Sequence, residues 1–312
     1  MTTRRSTART ACGAGIGPRA APALARARPL LLALLVSLAP LAAQEGTLDL
    51  ADGETLYDGG WLWTLGWEYD RASGGGVRRE EHAATLGVSY GLRHDLQLTL
   101  TLPYRWNEEA GGGSEVAAQG LGDLGLFAKW RIQRWDAPHV ATNLAILGGL
   151  ELPTGPSRER DGGVLVPLEL QPGSGSVDPV LGIGFTHEPG RWRFNAAALQ
   201  QWNTQGRAGD ERGDQFFAEL AAGNRFWLEP YPGPFMRLDL LLRYRHEGRD
   251  QQAHAPDPDS GRDLLSAGLN LAFRPQPSLD FQLLVEVPLA EARNGAQPRQ
   301  EILVALTSGI RF

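Results

Sequence analysis

Cysteine is almost absent from this 312-residue chain: Cys12 is the only one, and Lys129 is the only lysine. A single thiol near the start excludes a disulfide framework, a thiolate zinc site and, beyond residue 12, a catalytic cysteine. Positive charge is scarce as well. Beyond residue 43 the chain carries 24 Lys and Arg against 36 Asp and Glu, and such an acidic balance argues against nucleic acid as a partner, which needs a basic face. Past the same point no apolar run approaches the ~18 residues of a membrane helix. A closed barrel of strands is the other structure that satisfies its backbone hydrogen bonds in lipid.

The first 43 residues differ from the rest. They hold six arginines and no acid, then the apolar run Leu30 to Leu41, then Ala42 and Ala43. A positive segment, a short apolar segment and small residues at the end describe a secretory signal peptide, so we expect 1–43 to direct export. No cysteine follows the apolar run to carry a lipid anchor. Residues 44–60, polar and rich in Gly and Asp, read as a loose periplasmic lead-in, and 61–312 as the folded domain.

Within 61–312 a period-two pattern recurs. In 120–135, Leu124, Leu126, Ala128, Trp130 and Ile132 alternate with Gly125, Phe127, Lys129, Arg131 and Gln133. A strand sends these sets to opposite faces, whereas a helix scatters them. Twelve such segments are legible. The connections between them alternate long and short, the long ones being 71–81, 105–119, 153–176, 203–214, 247–262 and 290–300. Short turns on one side, longer loops on the other and an even strand number describe an outer-membrane barrel. Trp and Tyr gather at strand ends, as interfacial girdles do. The expected fold class is therefore all-β: an antiparallel transmembrane β-barrel of about twelve strands, in the outer membrane of a Gram-negative cell.

Three segments, GLGDLGLFAKWR at 120–131, GLELPTG at 149–155 and GSGSVDPVLGIGF at 173–185, resemble in order and spacing a family of outer-membrane transporters named for the meta-pathway of phenol degradation. The resemblance covers residues 85–312, the terminal strand included. It implies a barrel that helps hydrophobic or aromatic compounds across the outer membrane. Phe312, a terminal aromatic after an alternating strand, is expected to be the signal read by the outer-membrane assembly machinery.

Catalytic or metal chemistry has little to stand on. The six histidines fall singly at strand ends or in loops, and no cofactor motif is present, since the glycine-rich stretches lack the Lys-Ser/Thr of a phosphate loop. Ser89 and Ser266 are the inward hydroxyls that a membrane hydrolase would require. The inward charged face is the remaining candidate: Asp123, Lys129, Arg131, Asn143, Glu151, Asp178, Arg193, Arg237, Asp239 and Arg243 are expected to line the lumen, touching solute or one another. The long loop 153–176, with VLVPLEL in its middle, is the expected constriction or entrance for apolar solutes. The leading reading is passage or capture of a small hydrophobic or aromatic solute with no covalent chemistry. An outer-membrane hydrolase and a structural or adhesive surface barrel are the alternatives.

Overall fold

The computed structural model describes residues 52–206 and 209–312, so the expected signal segment 1–43 and the start of the lead-in lie outside the described residues. One antiparallel sheet contains β1 (Trp61–Gly74), β2 (Val77–Arg93), β3 (Leu96–Gly111), β4 (Ser114–Leu121), β5 (Leu124–Ala137), β6 (Val140–Leu152), β7 (Asp178–Pro189), β8 (Trp192–Gln201), β9 (Gln215–Leu228), β10 (Phe235–Glu247), β11 (Arg262–Gln276), β12 (Leu279–Arg293) and β13 (Arg299–Arg311). The last strand pairs with the first, from Leu62 opposite Arg311 to Ser73 opposite Arg299, and closes the sheet. β4 and β5 both lie against β3, one on its Tyr104–Gly111 half and the other on Leu96–Thr101. They are two lengths of one stave, so the barrel has twelve staves.

The molecule is inside-out by the standards of a water-soluble protein. On β10, Leu238, Leu240 and Leu242 are exposed, Leu240 at 62%, whereas Asp239 and Arg243 on the alternate positions are 2% and 1% exposed. The same alternation puts Leu126 and Trp130 of β5 outside and Lys129 inside. An apolar surface of this extent needs lipid, because isolated soluble domains expose only small apolar patches. Aromatic pairs mark both rims: Trp61 and Tyr90, 4.7 Å apart, at the end where the termini meet, and Tyr104 and Trp106, 4.6 Å apart, towards the loops. Trp61 N–H donates to the Phe312 carbonyl and Phe312 N–H to the Trp61 carbonyl.

Three of the expected long loops are largely strand. Residues 71–81 contain the end of β1, a Gly75–Gly76 turn with both φ positive and the start of β2; residues 105–119 likewise run through a Gly112–Gly113 turn, and much of 290–300 belongs to β12 and β13. Such two-residue turns match the strand twist. These hairpins continue past the apolar belt, where the outer face no longer meets lipid and period-two patterning loses its cause. The alternation in β5 also breaks at Ile132, which has no partner in the ladder with β6 because of a bulge between Arg131 and Gln133.

The lumen at mid-height is filled. Leu147 and Leu199 lie over Gly182, Phe127 over Gly125 and Gly149, and Leu241 and Leu284 over Gly268, each glycine giving the space that its neighbour's side chain occupies. Large residues facing small ones fill a narrow barrel. The outward reading of β10 has a measurable consequence. Leu240→Arg is expected to lower unfolding stability in lipid bilayers by about 2–4 kcal/mol, where an exposed leucine of a soluble protein would tolerate the change within roughly 0.5 kcal/mol.

Candidate functional site

The three sequence segments quoted above meet at one place, the break between β4 and β5. There the Asp123 carboxylate accepts from the Gly155 N–H (2.9 Å), the Ser174 N–H (2.6 Å) and the Ser174 hydroxyl (2.7 Å). Thr154 Oγ1 accepts from the Leu124 N–H at 2.9 Å. Backbones approach so closely that a Cβ on Gly155 would stand 2.7 Å from the Leu121 carbonyl oxygen, and one on Gly173 would stand 2.7 Å from Gly155. Asp123 thus ties both ends of the long loop to the broken stave. Hydrogen bonds to an ionised acceptor are the strong kind.

Between these ties the loop folds into the outer mouth of the barrel. Val166, Leu168 and Leu170 are buried, and Val166 and Leu170 pack against Ala118 and Val116 of β4. Polar clamps hold them: Asn107 Nδ2 donates to the Leu170 carbonyl at 2.9 Å, Arg212 donates to the Gln171 carbonyl at 2.7 Å, and Arg79 pairs with both Glu109 and Glu169. β4 pairs with β3 along one edge, and its Ala117 N–H donates to the loop's Asp161 at 3.1 Å. Beneath the loop lies a charged outer cavity of about 160 Å³. Burial lifts the carboxyls of two of its loop residues, Glu169 and Asp250, above their ordinary range.

At the other end the lead-in enters the lumen. It is not loose where it is described: Asp52 pairs with Lys129 (2.7 Å) and Arg193 (2.9 Å), Glu54 pairs with Arg193 (2.6 Å), and Gly53 N–H donates to Thr186 at 3.0 Å. Gly53 passes so near the wall that a Cβ there would lie 2.5 Å from the Asn143 carbonyl oxygen. Two acids on an irregular segment give no periodic signal, so their pairing with an inward lysine and arginine was not legible in the sequence. Burial alone would raise the Glu54 carboxyl, but Arg193, with Lys129 behind it, holds it down at about 2. An inner cavity of about 300 Å³ adjoins this segment.

The remaining expected lining residues divide by partner. Arg237 pairs with Asp239 at 2.7 Å, and Arg243 pairs with Glu219 at 2.7 Å and with Glu286. Asp178 accepts from the Thr204 N–H, Glu151 from Gln201, and Arg131 donates to the His94 carbonyl. Of the two candidate hydroxyls, Ser89 shares a hydrogen bond with Thr99, and Ser266 donates to Glu286.

Residues 84–296 match the model of the family described as "Putative MetA-pathway of phenol degradation". The chain belongs to this family. The matched stretch includes the whole Asp123 junction and the loop it ties. Among solved structures, an outer membrane channel from Pseudomonas putida F1 is similar over 87% of this chain and 100% of its own, at 18% identity and a TM-score of 0.67. The beta domain of the Bordetella autotransporter BrkA is similar over 82% of this chain and 100% of its own, at 12% identity and a TM-score of 0.50. At such identities the likeness is one of fold, that of an outer-membrane barrel. No curated protein sequence matches the chain.

Two outcomes test these anchors. Asp123→Asn is expected to cost roughly 1.5–3 kcal/mol, the worth of hydrogen bonds to a charged group, and to speed tryptic cleavage at Arg158 and Arg160 in the loop. For the lead-in, a carboxyl held below its unfolded value stabilises above that value and loses the contribution as pH falls through the folded one. A spin label at Thr55 should therefore stay immobile from pH 7 to about 4 and gain mobility as pH approaches 2, the Glu54 value.

Proposed function

We propose that this barrel passes small hydrophobic or aromatic solutes across the outer membrane, without covalent chemistry. The observation that carries the reading is the apolar cluster at the outer mouth, where Val166 and Leu170 of the loop lie against Val116 and Ala118 beside a stave break. These side chains are buried or half-buried in the closed arrangement, and once parted they offer an apolar solute a surface that does not favour a hydrated ion. Binding sites of this kind are concave, largely apolar and fixed by a few polar groups. The Arg212 and Asn107 clamps on the loop backbone are such groups.

Passage requires this cluster to part, because the loop and the filled mid-height leave no open water channel of the sixteen-strand kind. The similarity to an outer membrane channel of Pseudomonas putida supports transport over catalysis. Export by the segment 1–43 and assembly through a terminal Phe312 complete the reading. Phe312 is 61% exposed at the rim and its backbone closes on Trp61, which leaves its ring available to an assembly partner.

Uptake of radiolabelled toluene by a deletion strain and its complemented parent tests the proposal. Complementation is expected to raise the uptake rate several-fold, and Leu170→Asp, which places a charge in the apolar mouth, to abolish the gain while heat-modifiable migration shows a folded barrel. Equal uptake with and without the protein contradicts it.

A further inference from the structure

On several strands the lumen face changes character at one height. Along β10 it reads Arg237, Asp239, Leu241, Arg243 and Arg245, with Arg237 in the inner cavity and Arg245 in the outer one. Leu241 is the one residue of that run without a charge. Other strands repeat the change: Leu284 follows Asp280 and Gln282 on β12, Leu147 follows Asn143 and Ala145 on β6, and Phe127 precedes Lys129 on β5. Leu240, Leu283, Ile146 and Leu126 beside them are exposed to lipid, so these four face the lumen, yet none is more than 8% exposed. A lumen filled with water at this height would wet them.

Two glycines allow this packing. Gly182 lies opposite both Leu147 and Leu199 in the ladders, and Gly268 lies opposite Leu241. A Cβ on Gly182 would stand 2.9 Å from Leu199 Cγ, and one on Gly268 would stand 3.2 Å from Leu284 Cδ1. Leucines of the flanking strands therefore lean over each glycine, in one apolar cluster on β5 to β8 and a second on β9, β10, β12 and β13. The charges next to Leu241 and Leu284 satisfy one another: Asp239 pairs with Arg237, and Arg243 pairs with Glu219 and with Glu286, which also accepts from Ser266. Paired in this way they offer a passing ion little in place of its water. The cavities on either side, about 160 and 300 Å³ and lined by charged groups, have room for several waters each.

We propose that this belt of leucines over glycines, and not the charged ends of the lumen, is the barrier that sets solute selectivity, with Leu241 and Leu284 as its determining residues. A neutral apolar solute crosses it by displacing leucine side chains, and ions and hydrated solutes are stopped. Taking a charge out of water into apolar surroundings costs far more than taking an aromatic ring, and a hydrophobic constriction stops ions by losing its water. The inference rests on the proposed passage for the apolar route, but exclusion of ions is measurable without it.

Conductance of the full-length protein in planar bilayers bathed in potassium chloride tests the barrier. Leu241→Ser combined with Leu284→Ser is expected to raise single-channel conductance at least about fivefold, because hydroxyls let water into the constriction. Leu240→Ser, the same change on the lipid face of the same strand, is expected to leave it within about twofold. Heat-modifiable migration reports whether each variant folds. Leu241→Ala combined with Leu284→Ala, which leaves a cavity without adding polarity, serves where the serine pair does not fold and is expected to give about a threefold rise. Conductance of the folded double variants equal to that of the parent overturns the inference, as does an equal rise in Leu240→Ser. A parent that already conducts like an open sixteen-strand porin overturns it without any variant. Raised conductance with no toluene uptake by either protein would keep the ion barrier and sink passage; uptake with unchanged conductance would do the reverse.

Discussion

In hydrocarbon no backbone N–H or C=O finds water, so a sheet that crosses a bilayer has to pair its first strand with its last. The ladder between Leu62 and Arg311 at one end and Ser73 and Arg299 at the other meets that constraint. Everything else follows from closure. Once the sheet is a cylinder, each strand has one face to lipid and one to the lumen, which produces exposed Leu240 beside buried Asp239 and Arg243. Twelve staves make a lumen too wide for a single layer of wall residues at its ends and narrow enough to fill at its middle. The chain fills the middle with leucines seated over glycines and covers the ends with its own segments, the loop outside and the lead-in inside.

Charges placed in that lumen need partners, since the wall behind them is apolar. Arg243 between Glu219 and Glu286, and Asp52 between Lys129 and Arg193, supply them. Buried pairs of this kind add little net stability, but loss of one partner leaves a costly lone charge. Their effect is to fix position. Asp52 fixes the lead-in, and Asp123 fixes the loop through the Gly155 and Ser174 N–H groups and the Ser174 hydroxyl. The site is thus built from two segments of irregular backbone that carboxylates, Asp52 and Glu54 on one and Asp123 beside the other, help to hold in place.

The fold was legible in the sequence because lipid imposes a period of two wherever a strand crosses it. Leu124 to Trp130 read correctly for that reason, and the family resemblance rested on the residues that turn out to tie the loop. The pattern stops where lipid stops. The hairpin extensions around Gly75 and Gly112 lie beyond lipid and read in the sequence as loops, and the bulge at Ile132 slips the register without changing residue type. Asp52 and Glu54 were missed because an irregular segment has no period, and their partners lie 77 to 141 residues away.

The central claim is that solute passes where the loop meets the broken stave, and that the two must part to admit it. Because Cys12 is the chain's only cysteine, the pair Ala118→Cys with Val166→Cys, whose parent residues share one buried cluster, can be oxidised without competing thiols in the barrel. Toluene uptake by cells carrying the oxidised double variant is the direct measurement. The account predicts that oxidation stops uptake and that reduction restores it. Uptake unchanged by a confirmed cross-link would contradict the account.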